Sequence, residues 1–185
     1  MKVIAEIGVN HDGKIEKAKK LIKVSKKNGA DFVKFQLYKT ENIVTYKSKV
    51  SNYQKKITKN QYKLLKKYEL TIKDFKVIFN YCKKIKIKPL TTCFDVQTFL
   101  EINKNFNQNI YKIGSGDLDN LPLIYQIAKF KKKLILSTGM SNLKDINLAL
   151  KTIIYAHKFR KNIPEINKIK KIKLNNKSIN YLKDK

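Results

Sequence analysis

Two lysines in this sequence close short apolar runs: Lys34 in Val33-Lys34-Phe35-Gln36, and Lys112 in Ile110–Ile113. Hydroxyls end three comparable stretches. Thr92 follows Pro89-Leu90-Thr91, Ser137 follows Lys133–Leu136, and Ser115 stands between two glycines directly after Ile113. Ammonium groups, hydroxyls and glycine-flanked backbone N–H donors together meet the needs of a phosphate or carboxylate, so the chemistry they point to is anion binding. Taken singly, each has a plainer role, with Ser115 and Ser137 capping turns and Lys34 solvated. All five at the ends of successive runs shift the reading to a pocket.

Carboxylates stand in the same stretches. Glu6, Asp12 and Asp117, with Asn10 and His11 close by, could orient sugar hydroxyls, ligate a metal or act as general base. A lone histidine near a strand end is more often a hydrogen-bonded structural residue than a ligand, and no metal-ligand spacing surrounds His11. His157 falls on a helix and reads as a surface residue. No Ser/His/Asp triad and no P-loop can be built, and Gly114-Ser115-Gly116 runs into Asp117-Leu118-Asp119 without the third glycine of a dinucleotide-binding fingerprint.

These residues must be held by an alternation of strands and helices. Strands are expected at Val3–Ile7, Asp31–Gln36, Pro89–Thr92, Ile110–Ile113 and Lys133–Leu136, each ending in a polar or glycine-rich cluster. Helical spacing is read over 15–28 with Gly29 as its stop, 59–70, 72–84, 97–105, 121–130 and 143–159. Thr71 with Asp74 approximates a capping box, and Ser141 or Asn142 is the expected cap of the last helix. Within the second strand Val33 and Phe35 take one face and Lys34 and Gln36 the other. Residues 37–58 read as a long loop, which on a functional face serves as a lid or binding loop. Strands that alternate with helices and carry polar chemistry at their carboxyl ends indicate a parallel (β/α) enzyme with its site at that face.

Length and charge bound the rest. A complete (β/α)8 barrel takes about 250 residues, so 185 imply an open sheet or an incomplete barrel. The expected organisation is one domain over 1–160, followed by a lysine-rich connector over 161–185 with a short helix near 178–182. No run approaches the ~18 apolar residues of a membrane span, and the amino terminus lacks a signal-peptide pattern, so a cytoplasmic protein is expected. Cys82 reads as packing on a helix and Cys93 as a small buried hydrophobe at a strand end. The net charge of +28 is spread evenly, and Arg160 is the only arginine among 42 basic residues. Nucleic-acid readers use arginine heavily for its bidentate fork, so specific nucleic-acid binding is set aside.

Four stretches in fixed order, Ala5–Gly13 (AEIGVNHDG), Val33–Gln36 (VKFQ), Tyr111–Leu123 (YKIGSGDLDNLPL) and Ile135–Met140 (ILSTGM), resemble the N-acetylneuraminate (sialic acid) synthase family, which includes the legionaminic and pseudaminic acid synthases. The resemblance runs to about Leu150. It implies a TIM (β/α)8-type barrel, present as roughly its first five β/α units. It also implies condensation of phosphoenolpyruvate with an N-acyl hexosamine of the N-acetylmannosamine type, giving a nine-carbon α-keto acid sugar with release of phosphate. On that resemblance Lys34, Lys112, Ser115 and Ser137 hold the phosphate and carboxylate of phosphoenolpyruvate, with Thr92 beside them. Gln36 and Asp117 contact the amino sugar, although many members have Glu in place of Asp117, and Asp12 is a candidate for proton transfer or water activation.

The resemblance further implies a divalent metal, Mn²⁺ or Mg²⁺, held by histidines on later strands, and a homodimer completed by a C-terminal domain. Neither strands six to eight nor that domain is expected here, which reads as an N-terminal fragment, a truncated gene product or one part of a split enzyme. A keto-deoxy sugar acid synthase of the same barrel type is the nearest enzyme rival, opposed by AEIGVNHDG and GSGDLDN. An inactive fragment that only binds a partner is the rival from another class. The stretch Asn52–Lys56 with GSGDL leans toward a legionaminate-type substrate.

Overall fold

A computed structural model describes residues 1–49, 60–106, 108–160 and 164–183, and the chain divides into two compact units, Met1–Gln108 and Asn109–Lys185. In the first unit the order is β1 (Ile4–Gly8), α1 (Ile15–Lys27), β2 (Phe32–Leu37), α2 (Thr40–Ile43), α3 (Gln61–Tyr68), α4 (Ile72–Lys84), β3 (Lys88–Cys93) and α5 (Val96–Asn105). Strands β1, β2 and β3 are parallel and follow chain order. The alternation in β2 resolves as expected. Val33 and Phe35 are fully buried, Phe35 packing edge-on against Phe75 of α4 with centroids 5.9 Å apart. Ile22, Ile78, Phe99 and Ile102 are fully buried as well, and Leu90, opposite Lys34 in the register, is buried on the other face of the sheet.

The helices start and stop for local reasons. Helix α1 ends before Gly29, whose φ of +82° is the left-handed conformation that glycine adopts without strain. Thr71 caps α4 reciprocally: its hydroxyl accepts from the Asp74 N–H at 3.2 Å, and the Asp74 carboxylate accepts from the Thr71 N–H at 2.8 Å. In the segment expected to be a plain loop, the short helix α2 forms because Glu69 accepts from both the Thr40 N–H (2.9 Å) and the Thr40 hydroxyl (2.6 Å). Lys66 then bridges Glu69 and Glu41. Residues 50–58 of that loop, with the stretch Asn52–Lys56, lie outside the described residues.

The second unit holds β4 (Ile110–Ile113), α6 (Leu121–Lys129), β5 (Lys133–Leu136), α7 (Leu143–Lys158), α8 (Ile166–Lys170) and α9 (Asn176–Lys183). Strands β4 and β5 are parallel, and α6 packs on α7. Asn142 is the cap of α7, in a reciprocal box with Asp145. Two differences stand out. The tail carries helix α8, anchored by buried Ile169, besides α9, which covers the short helix expected near 178–182 and is started by Asn175 accepting from the Ser178 N–H. His157 is half-buried rather than on the surface, lining a cavity of about 350 Å³ with Leu134, Leu136, Leu150 and Ile153. Among the described residues no helix is long and apolar enough to cross a membrane.

Candidate active site

Strand register assembles the first cluster. Glu6 lies opposite Lys34 and Gln36 lies opposite Thr92, which puts all four side chains on the sheet face away from Val33 and Phe35. Lys34 is only 4% exposed, yet its ammonium is held: Nζ lies 2.8 Å from Glu6 Oε2 and donates to Thr92 Oγ1 at 3.2 Å. The solvated alternative for Lys34 is thereby excluded. Thr92 is 3% exposed and Gln36 half-buried. The pairing of Glu6 with Lys34 was not anticipated, because it depends on the register of two strands joined through α1.

The loop from β1 to α1 winds through consecutive turns, with Asn10 N–H bonded to Ile7 O, Asp12 N–H to Val9 O and Lys14 N–H to His11 O. His11 is 1% exposed; its Nδ1 accepts from the Gly13 N–H at 3.0 Å, while its Nε2 is buried with no hydrogen-bond partner among the described residues. Burial pushes its imidazole below the ordinary value, against the opposing pull of Asp12 and the Gly8 backbone. Asp12, at a φ of +52°, pairs with Lys17 of α1, and the hydrogen bond from that lysine holds its carboxyl below the usual range. Asp12 is therefore an ionised acceptor. Cys93 is 2% exposed, and Cys82 is fully buried with its thiol pushed up to about 12, as befits packing residues.

The second cluster closes β4 and β5. Ser137 N–H bonds to Ile113 O at 3.1 Å, and the Ser141 hydroxyl donates to the Ser115 carbonyl at 3.1 Å, so the two serine-bearing turns adjoin. Ser141, foreseen only as a possible helix cap, thus pins the Ser115 turn. Residues Ser115–Asp117 form a single 3-10 turn, and a Cβ on Gly114 would come within 3.0 Å of Asp117 Oδ2. Burial first, then the neighbouring Asp119, raise the Asp117 carboxyl above the usual range, while the Lys112 charge acts in the opposite direction. Lys112, Ser115 and Ser137 are each half-buried. Among the described residues no three His, Cys, Asp or Glu side chains gather as a metal site requires.

The model of the NeuB family matches residues 21–176 of this chain. The chain belongs to the NeuB family. Within it, the chain is 40% identical over 164 residues to the N,N'-diacetyllegionaminic acid synthase of Campylobacter jejuni, covering 87% of this chain and 49% of that protein. It is 34% identical over 154 residues to the enzyme of the same name from Legionella pneumophila, covering 82% and 43%. The N-acetylneuraminic acid synthetase of Leptospira borgpetersenii, solved in complex with citrate, superposes with a TM-score of 0.72 at 26% identity, over 84% of this chain and half of that one. This NeuB-family chain spans about half the length of the curated relatives it matches. A truncated 3-deoxy-D-arabino-heptulosonate 7-phosphate synthase of Thermotoga maritima, at 13% identity and a TM-score of 0.58, shares the fold alone. The α/β, partial-barrel fold read from the sequence is therefore the NeuB-family fold.

Proposed function

We propose that this chain carries the phosphoenolpyruvate-recognition residues of a NeuB-type sugar acid synthase, which condenses phosphoenolpyruvate with an N-acyl hexosamine. The observation that carries the reading is Lys34: a charged lysine kept buried at a strand end is costly to maintain, and an anionic ligand gives that cost a purpose. Family membership and the named synthases among the relatives support it.

In the proposed reaction the methylene carbon of phosphoenolpyruvate attacks the aldehyde carbon of the open-chain sugar, forming the C–C bond while the aldehyde oxygen takes a proton. Water adds to the cationic carbon left behind, losing a proton, and the phosphate then leaves with C–O cleavage to give the ketone. Lys34, Thr92, Lys112, Ser115 and Ser137 are assigned to the phosphate and carboxylate, as cationic and hydroxyl donors. Gln36 and Asp117 are assigned to the sugar. Asp12, ionised beside Lys17, is assigned the acceptance of a proton from the attacking water.

Phosphate release from phosphoenolpyruvate, measured with and without N-acetylmannosamine or a diacetylated analogue, tests the reading. Release that requires both substrates supports it. Release that ignores the sugar means hydrolysis, and contradicts it.

A further inference from the structure

The Lys34 ammonium has three N–H donors, and the described residues engage two of them, through Glu6 Oε2 at 2.8 Å and Thr92 Oγ1 at 3.2 Å. The two charged partners are unlike. The Lys34 side chain is 4% exposed, whereas that of Glu6 is 55% exposed. A buried ammonium cannot give up its counter-charge without a large penalty, but a half-exposed carboxylate can return to water at little cost. Glu6 also sits at the β1 bulge, where register slips between Glu6 and Gly8, so its strand is not locked into a continuous ladder at that point.

We propose that Glu6 is the resident counter-ion of Lys34, holding the buried charge while no ligand is bound and yielding its place to the phosphate or carboxylate of an incoming anion. The inference rests on the reading of Lys34 as an anion-binding residue. It adds a residue that works against binding. Because Glu6 repels any anion that approaches Lys34, only a ligand charged strongly enough to displace it is retained, so the pair favours a phosphate over a single carboxylate. Thr92 stays in place through the exchange, since it is buried and bears no charge.

The test titrates inorganic phosphate, then acetate, into the full chain and its Glu6→Gln and Lys34→Met variants by calorimetry. Gln keeps an oxygen for Lys34 but removes the charge. Phosphate affinity is expected to rise about three- to tenfold in Glu6→Gln, the size of a partly screened charge contact, with a smaller phosphate-over-acetate preference. Lys34→Met is expected to lose the binding. Equal or weaker phosphate binding by Glu6→Gln, or no binding by either protein, overturns the proposal.

Thermal melts give a second reading. Glu6→Gln should melt lower than the native chain without phosphate and recover more on its addition. A variant indifferent to phosphate, or unfolded even in its presence, contradicts the exchange. Phosphoenolpyruvate titrated separately keeps the two readings apart. Binding to the native chain without phosphate tightening in Glu6→Gln refutes the counter-ion alone, while tightening without phosphoenolpyruvate binding refutes the proposed function alone.

Discussion

Asp117, assigned to the sugar in the proposed reaction, is kept at the expense of the fold. Its carboxyl is pushed up by burial and by Asp119 more than Lys112 pulls it down, so ionising it is harder in the folded chain than in the unfolded one. A carboxyl whose folded pKa exceeds its unfolded one costs stability as pH rises from about 3.9 through the folded value, and the cost persists at neutral pH. Asp117→Asn is therefore expected to raise the melting temperature at neutral pH, with the gain shrinking as pH is lowered toward 4; a lower neutral-pH melting temperature would show that Lys112 dominates. His11 has the opposite sense. Its lowered imidazole contributes stability that is complete above about pH 6.5 and is lost as pH falls through the depressed folded value. An imidazole NMR titration midpoint at or above the ordinary histidine value would contradict this. The types of Lys34, Thr92, Lys112 and the serines were legible in the sequence, because each closes an apolar run. The partner of Lys34 was not, because Glu6 reaches it only once parallel register is set across 28 positions of chain.

At the scale of elements, the β1–α1 loop depends on Gly13. Its φ is +71°, and a Cβ there would meet the Lys67 carbonyl oxygen. Gly13→Ala is expected to cost about 1–3 kcal/mol from backbone strain and the clash with α3, read as a lower denaturant midpoint at unchanged slope. An unchanged midpoint would mean that α3 moves aside freely. The strands and most helices were legible because apolar periodicity and caps are local: β4 and β5 fall where expected, and Thr71 with Asp74 makes the box foreseen for α4. What escaped was non-local. Helix α2 owes its start to Glu69, nearly thirty residues on, and the partial burial of His157 follows from packing beside β5.

For the molecule as a whole, a net charge of +28 carried almost entirely by lysine opposes compaction. Raising salt should therefore raise the melting temperature steadily before any specific anion is added, and a melting temperature insensitive to salt would show that the lysines are already compensated. The five strands among the described residues and the match to NeuB-family proteins about twice as long make the residues assigned to anion recognition, rather than complete turnover, the part of the proposed chemistry most directly open to test in this chain. Calorimetric titration of phosphoenolpyruvate into the native chain and into Lys112→Ala tests whether those residues recognise it. Saturable binding by the native chain is expected, with a loss of at least about tenfold in the variant, the worth of a charge-assisted contact. Equal binding by the two proteins, or none by the native chain, would contradict that assignment.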